Sequence, residues 1–194
     1  MKVLVAGATG AIGRQLVPML VQRGHEVVGT TRTESKRELL ASLGAKPVVA
    51  DALDPEAVGR VVSEAEPEVI VHQLTAIPTS MSMRHIERDF AATNRLRTEG
   101  TDHLLSAARS AGVRRFVAQS FASYFARSGG AVKSEDDDFD PDPPAAIRTT
   151  LDAIRHVERV VTDADWWRAW CCATAPSTVP APRSPCSLLA SWSS

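Results

Sequence analysis

The chain has 194 residues, with 22 lysines and arginines against 23 aspartates and glutamates and a formal net charge of −1. This balance, without a clustered basic face, argues against electrostatic binding of nucleic acid or of an anionic membrane surface. No apolar run reaches the length of a signal peptide or a membrane span, so we expect a cytoplasmic protein. The five histidines and three cysteines lack the spacing of metal ligands, and we therefore predict no metal site.

Short apolar segments alternate with longer amphipathic ones, which is typical of repeated strand–helix units. The predicted strands are 2–6, 26–30, 47–50, 68–72 and 115–119. The predicted helices are 11–23, 34–43, 55–64, 85–111 and 145–163. Parallel strands joined by right-handed helical crossovers form a doubly wound α/β sheet, whose ligand binds beyond the carboxyl ends of the strands.

A glycine-rich segment, GATGAIG, follows the first strand and opens the first helix. Its glycines suit a tight turn, close approach of a pyrophosphate to the backbone, and packing of the helix on the strand. The helix N-terminus offers free amides to phosphate. We therefore predict a dinucleotide site, the alternative being a purely structural turn. The predicted contacts are Gly7, Thr9, Gly10, Ala11, Ile12 and Gly13.

The end of the second strand distinguishes the two nicotinamide dinucleotides. NAD would favour an acidic residue about 20 residues after the glycine loop, but the chain has Thr30-Thr31-Arg32, with Lys36 nearby. A guanidinium binds a 2′-phosphate through charge-assisted hydrogen bonds. We therefore predict NADP bound through Arg32, with NAD as the alternative cofactor if Arg32 is only a solvated cation.

Together, the motifs resemble the short-chain dehydrogenase/reductase superfamily, in its extended, epimerase/dehydratase branch. Over residues 1 to about 165, the segments GATGAIG, RGHEVVGTTR, VVADALD, EVIVHQLTA, ATNRLRTEGTDHLLSAARSAGVRRFVAQS and LDAIRHVERVV follow the family's order. The resemblance implies a Rossmann-type sheet of strand order 3-2-1-4-5. It also implies an oxidoreductase that acts on a nucleotide sugar or another small hydroxy or keto compound.

The resemblance assigns further residues to the cofactor site. Asp51 and Ala52 would flank the adenine, and Asn94 would have the structural role of the family's helix asparagine. The nicotinamide side would be lined by Leu74, Thr75 and Ala76. The resemblance also implies a homodimer formed through the helices at 85–111 and 145–163.

The family's usual catalytic pair, a tyrosine four residues before a lysine, is replaced here by Leu151 and Arg155. Leucine cannot transfer a proton, whereas Arg155 could still hold a ribose. Ser123 is the candidate catalytic hydroxyl, and Ser120 resembles the family serine at the strand end. Tyr124 is either a substitute acid or a packing aromatic residue. These departures leave a second hypothesis open, namely a non-catalytic NADP-binding sensor or regulator on the same fold.

The segment 166–194 differs from the rest of the chain. It holds all four tryptophans and all three cysteines, and from Ala169 onward only Arg183 is charged. The family continues with a strand whose sequence resembles VLRYGxxYGPG. If the reading frame of the codons for WWRAWCCATAPSTVP is shifted by two bases, the degenerate codons permit such a sequence. We therefore expect a domain of residues 1–165 and an out-of-frame or disordered tail. The later strands and the substrate subdomain would be absent. Strand 115–119 would then be a bare edge unless Trp166, Trp167 and Trp170 cover it, and a further alternative is an inactive truncated product.

Overall fold

The computed structural model contains a parallel sheet covered by helices on both faces. The described residues are 1–78, 80, 85–121, 126 and 137–164, together with the backbone of 168–174. The strands are β1 (Lys2–Ala6), β2 (Glu26–Thr31), β3 (Lys46–Val49), β4 (Val69–His72), β5 (Arg115–Phe121) and β6 (Arg168–Thr174). The helices are α1 (Gly13–Gln22), α2 (Arg37–Ser42), α3 (Pro55–Ala65), α4 (Ile86–Arg97), α5 (Glu99–Ser110) and α6 (Ala145–Thr162), with a short 3-10 helix at Glu34–Lys36.

The strands are all parallel and lie in the order β3-β2-β1-β4-β5-β6. The predicted order 3-2-1-4-5 is therefore confirmed. β1 lies at the centre, where Val3 aligns with Val27 of β2 on one side and with Val69 of β4 on the other. The strand order reverses between β1 and β4, and a ligand crevice opens at such a switch point.

The sheet has a sixth strand that the sequence did not lead us to expect. β6 pairs with β5 over seven residues, from Arg115 opposite Arg168 to Phe121 opposite Thr174. The prediction of a bare edge at β5 is therefore wrong. The physical reason is that strands pair through backbone N–H and C=O groups. These groups can pair even where the amino-acid sequence differs from the one expected in the family.

Apolar side chains fill the space on both faces of the sheet. Along β1, Leu4 packs in a cluster with Val61 of α3 and Val157 of α6, whereas Val3 packs with Val17 of α1 on the opposite face. Burial on both faces explains why the central strands are almost continuously apolar in sequence. Within the described residues, no helix combines the length and the apolar character that crossing a membrane requires.

The long helix predicted at 85–111 is in fact two helices. The chain turns at Thr98, whose backbone angles are φ −87° and ψ −82°. The Thr98 hydroxyl donates a hydrogen bond to the carbonyl of Asn94 at 3.0 Å. Back-bonding of this kind by a threonine side chain bends helices. The break therefore has a local cause that hydrophobic periodicity does not reveal.

Candidate functional site

A cleft of about 150 Å³ lies where β1, β2 and β4 end. Because the carboxyl ends of parallel strands share one edge of the sheet, three loops that are distant in sequence meet there. Seven of the residues predicted to contact a cofactor line this cleft: Gly7, Thr9, Gly10, Arg32, Ala52, Leu74 and Thr75.

The glycine loop follows β1 with a geometry that side chains would obstruct. Gly7 has φ +86°, and a Cβ built on it would lie 2.5 Å from the carbonyl oxygen of Gln73. The N–H of Gly10 donates to the Gly7 carbonyl at 3.0 Å and closes the turn. A Cβ on Gly13 would lie 2.6 Å from the carbonyl oxygen of Ala8. Gly7 and Gly13 therefore have steric reasons to be glycine, in line with the roles expected of this loop.

The N-terminus of α1 directly follows the glycine loop, although Ala11, Ile12 and Gly13 do not themselves line the cleft. Ile12 is the N-cap residue, and no side chain caps the helix. Ala11 and Ile12 are exposed, and their amides donate to no carbonyl within the described residues. Free amides in the first turn of a helix carry partial positive charge and require an acceptor. A phosphate of a dinucleotide would satisfy them.

Two threonines stabilise the end of β2, one through the glycine loop and one through the chain that follows the strand. The Thr30 hydroxyl accepts a hydrogen bond from the N–H of Gly7 at 3.2 Å. The Thr31 hydroxyl accepts one from the N–H of Thr33 at 3.2 Å, which turns the chain after the strand. These bonds fix the position of the segment that carries the predicted phosphate-binding arginine.

The β2 end of the cleft carries uncompensated positive charge. Arg32 and Lys36 both line the cleft, and neither forms an ion pair within the described residues. Glu34 lies between them in sequence, but its carboxylate pairs with Arg37 at 3.1 Å. The cations are therefore available to an anionic group of a ligand.

The two residues expected beside the adenine differ in position. Ala52 is buried in the wall of the cleft, and its carbonyl accepts a hydrogen bond from Nδ1 of His103 at 3.0 Å. Asp51 is exposed and does not line the cleft. Its carboxylate accepts a hydrogen bond from the N–H of Leu53 at 3.0 Å and shapes the turn before α3.

The loop after β4 contributes the third wall. Leu74 and Thr75 line the cleft, and their contact with the nicotinamide half of a cofactor stays a prediction. Ala76 does not line it, and the N–H of Ala76 donates to the hydroxyl of Thr93 at 3.0 Å. Ala76 therefore ties the loop to α4 and lies outside the cleft wall.

His72, the last residue of β4, is buried and neutral. Burial, aided by the nearby charge of Arg97, lowers the pKa of His72 to about 4. Its Nδ1 accepts a hydrogen bond from the N–H of Leu74 at 3.1 Å, so the ring proton is on Nε2 and is donated to the Thr101 hydroxyl at 2.8 Å. This histidine positions the loop after β4 and is not placed to act as a base.

Asn94 lies away from the cleft. Its side-chain amide is buried and donates to the hydroxyl of Thr150 at 3.1 Å, which links α4 to α6. Asn94 also lines a second groove, of about 700 Å³, between these two helices. The geometry is that of a structural residue, and direct contact with a cofactor in the cleft does not follow from it.

The residues at the positions of the family's catalytic pair do not face the cleft. Leu151 is 0% exposed and belongs to the core. Arg155 lines the groove between α4 and α6, donates to the carbonyl of Asp140 at 2.9 Å, and lies over the ring of Phe139. The structure thus gives no support to the expectation that Arg155 holds a ribose. The physical reason is that its guanidinium is engaged by the segment that precedes α6.

The candidate hydroxyls at the end of β5 are described only in part. Ser120 is buried, and its hydroxyl donates to the carboxylate of Glu158 on α6. Ser123 and Tyr124 lie outside the described residues. The catalytic roles predicted for Ser123 and Tyr124 therefore stay predictions.

Sequence reasoning missed several residues of this region, including Thr31, Thr33, Ala50 and Leu96 in the cleft wall. Thr30 and Gln73 both line the cleft, and Glu158 is the partner of Ser120. The rule that ligands bind beyond strand ends could have found Thr30 and Gln73, since one precedes the end of β2 and the other follows β4. Glu158 is 38 residues from Ser120, and no local pattern joins them.

The arrangement fits a dinucleotide better than a metal. Gly7 and Gly10 line the cleft, Gly7 has no room for a side chain, the first turn of α1 next to the loop has free amides, and two cations line the β2 end of the cleft. In the part of the chain that the structure describes, no three histidine, cysteine or acidic side chains are grouped to hold a metal ion.

Comparison with known proteins agrees with this geometry. A family model described as NAD(P)H-binding matches residues 7–167. The 3-diazoavenalumate denitrifying reductase of a Streptomyces species is 49% identical over 170 residues, covering 85% of this chain and 53% of that protein. The UDP-glucose 4-epimerase of Mycolicibacterium smegmatis is 34% identical over 190 residues, covering 94% of this chain and 58% of that protein.

Among solved structures, the enzyme WbmG of Bordetella bronchiseptica, in complex with NAD and UDP, has a similar fold. The TM-score is 0.66 at 22% identity, covering 85% of this chain and 50% of that chain. The chain thus spans about half the length of the proteins it matches. It belongs to the NAD(P)H-binding family, whose model matches most of the chain.

Proposed function

We propose that this protein is an NADPH-dependent reductase. The observation that carries the proposal is the pair of cations, Arg32 and Lys36, which line the β2 end of the cleft without an ion-pair partner in the described residues. The 2′-phosphate distinguishes NADPH from NADH, and it is the group that such a pair would bind. A carboxylate at this strand end would favour NADH, and the chain has none there.

The similarity to the Streptomyces reductase, which at 49% identity exceeds the 34% of the Mycolicibacterium epimerase, supports the reductase class. Its name describes reduction of a diazo compound, whereas the second relative is an epimerase. When bound, NADPH supplies a hydride to an electrophilic substrate. We propose small hydride acceptors as substrates: a keto compound, a keto form of a nucleotide sugar, or an aromatic diazo compound. Ser123 and Tyr124 remain our candidates for the proton donor.

The cofactor preference is tested by replacing Arg32 with alanine. A charge-assisted hydrogen bond contributes about 1.5–3 kcal/mol, so Arg32→Ala should weaken NADPH binding about 10- to 100-fold and change NADH binding by less than about threefold. Arg109→Ala is the matched control, because Arg109 is exposed on α5 and lines no part of the cleft. Fluorescence titration gives both dissociation constants. An equal loss of affinity for both cofactors in Arg32→Ala would refute the phosphate assignment.

A non-catalytic NADPH-binding regulator is the second candidate function. The observation that favours it is Leu151, which fills the core where the family has its tyrosine, together with an Arg155 that does not line the cleft. The two candidates differ in a simple assay: NADPH is mixed with carbonyl and aromatic diazo substrates and its oxidation is followed at 340 nm. Turnover that Tyr124→Phe or Ser123→Ala abolishes supports the reductase. Tight NADPH binding without any oxidation supports the regulator.

We also propose that two copies pair through α4 and α6. The groove between these helices is lined by charges of both signs, with Glu87 and Asp152 against Arg95 and Arg159. Such a surface can be complementary to its own copy across a two-fold axis. Ala91→Arg, in the groove wall, should give a monomer, whereas Ala92→Arg on the next residue should not. Light scattering measures the mass, and a monomeric unmodified protein contradicts the proposal.

A further inference from the structure

The residue that follows β4, Gln73, is held tightly against the glycine loop. Its N–H donates to the carbonyl of Ala6 at 2.8 Å and extends the pairing of β4 with β1 by one residue. Its carbonyl oxygen lies 2.5 Å from where a Cβ of Gly7 would be. The backbone at Gln73 is thus fixed by contacts on both sides, and the direction of its side chain is set by a rigid frame.

The side chain of Gln73 lacks a hydrogen bond. It lines the cleft, and its Oε1 is buried without a hydrogen-bond partner. A buried acceptor that has lost water and gained no donor destabilises the protein, so buried polar atoms are nearly always paired. An unpaired acceptor in the wall of a ligand cleft indicates that the ligand supplies the donor.

The order of the strands indicates which part of the ligand that is. Arg32 lies at the end of β2, Gly7 at the end of the central strand β1, and Gln73 at the end of β4. With the 2′-phosphate at Arg32 and the pyrophosphate on the glycine loop, the next group of a dinucleotide, the ribose of its nicotinamide half, reaches the β4 side. At neutral pH the pyrophosphate is fully ionised and the 2′-phosphate is mostly a dianion, so both act mainly as hydrogen-bond acceptors, whereas ribose hydroxyls can donate.

We infer that Oε1 of Gln73 accepts a hydrogen bond from a hydroxyl of the nicotinamide ribose and so positions that half of the cofactor. The inference rests on the proposed dinucleotide function of the cleft. Gln73 is a positioning residue in this role, because it would set where the nicotinamide ring lies without taking part in the chemical step.

The test compares two ligands on one variant. Gln73→Met keeps the length of the side chain and removes the acceptor, and Gln22→Met makes the same change at an exposed position outside the cleft. Calorimetry measures binding of NADP and of adenosine 2′,5′-bisphosphate, which has the adenosine half and its 2′-phosphate but no nicotinamide ribose. Gln73→Met should weaken NADP about tenfold and adenosine 2′,5′-bisphosphate by less than twofold, and Gln22→Met should change neither.

Thermal unfolding of the ligand-free protein separates positioning from a structural role. Removing an unpaired buried acceptor should leave the melting temperature of Gln73→Met unchanged or higher. A lower melting temperature, an equal loss for both ligands, or an unchanged affinity for NADP would each overturn the inference. If the unmodified protein bound NAD as tightly as NADP, the cofactor preference would fail, but the inference about Gln73 would stand on the NAD titration. Binding of neither dinucleotide would overturn both.

Discussion

Three glycine-to-alanine substitutions separate the cost of backbone conformation from the cost of a steric clash. Gly59 lies in α3 with a negative φ and with nothing within 4 Å of an added Cβ. Gly24 has φ +78° and the same free space. Gly7 has φ +86° and, in addition, the carbonyl group of Gln73 at 2.5–2.7 Å.

The expected changes in unfolding free energy follow from these differences. Gly59→Ala should stabilise by about 0.5–1 kcal/mol, since alanine favours a helix interior. Gly24→Ala should cost about 1–2 kcal/mol, the penalty for a left-handed residue with a Cβ. Gly7→Ala carries the same penalty and about 1–3 kcal/mol for overpacking, because the opposing atoms are backbone fixed by the bond from Gln73 to Ala6. The total for Gly7→Ala is about 2–5 kcal/mol.

Urea unfolding followed by circular dichroism measures all three variants against the unmodified protein. The order of stability should be Gly59→Ala, unmodified protein, Gly24→Ala, Gly7→Ala. If Gly7→Ala costs no more than Gly24→Ala, the contact between Gly7 and the loop after β4 does not constrain the chain, and the argument that this position must be glycine for steric reasons is refuted.

Two further predictions concern stability. The folded-state pKa of His72 is about 4, below its ordinary value of 6.5, so the unfolded chain takes up a proton first as the pH falls. As the pH falls from about 6.5 to 4, His72 should lower the free energy of unfolding by roughly 3 kcal/mol in all. In urea unfolding, His72→Gln should remove that part of the pH dependence. Parallel pH profiles for the two proteins would contradict the prediction. Asp54 caps α3 by accepting hydrogen bonds from the N–H groups of Glu56 and Ala57 at 3.0 and 3.1 Å, so Asp54→Ala should cost about 1 kcal/mol in the same assay. Asp163→Ala, at the exposed C-terminal end of α6, should stay within about 0.5 kcal/mol, and equal losses for the two would argue against the cap.

Much of the sheet could be predicted from sequence because its signals are local. Each central strand is a short apolar run, and each run is followed by an amphipathic segment with helical periodicity, although α2 itself spans only six residues. The glycine loop and Arg32 could be found for the same reason: a parallel sheet brings the residues after its strands to one edge, so position in the chain translates directly into position at the site.

What failed depended on contacts between distant segments or on backbone pairing. The turn at Thr98 arises from one side-chain hydrogen bond, which hydrophobic periodicity does not register. β6 pairs with β5 through its backbone, so its unusual amino-acid sequence gave no indication of a strand. The place of Arg155 is set by Phe139 and the carbonyl of Asp140, in a segment without regular structure. None of these contacts leaves a periodic trace in the sequence.

The contact between Gly7 and the loop after β4 has a consequence for redesign of the site. The N–H of Gly7 donates a hydrogen bond to Thr30 on one side, and Gly7 lies against the backbone of Gln73 on the other. A side chain at Gly7, in the middle of the cleft, would therefore require both neighbours to move. The side chains proposed to determine ligand preference, those of Arg32 and Gln73, lie at the ends of the flanking strands β2 and β4. We therefore expect that cofactor preference can be altered at Arg32 and ring placement at Gln73 as two separate adjustments, each made without disturbing the glycine loop between them.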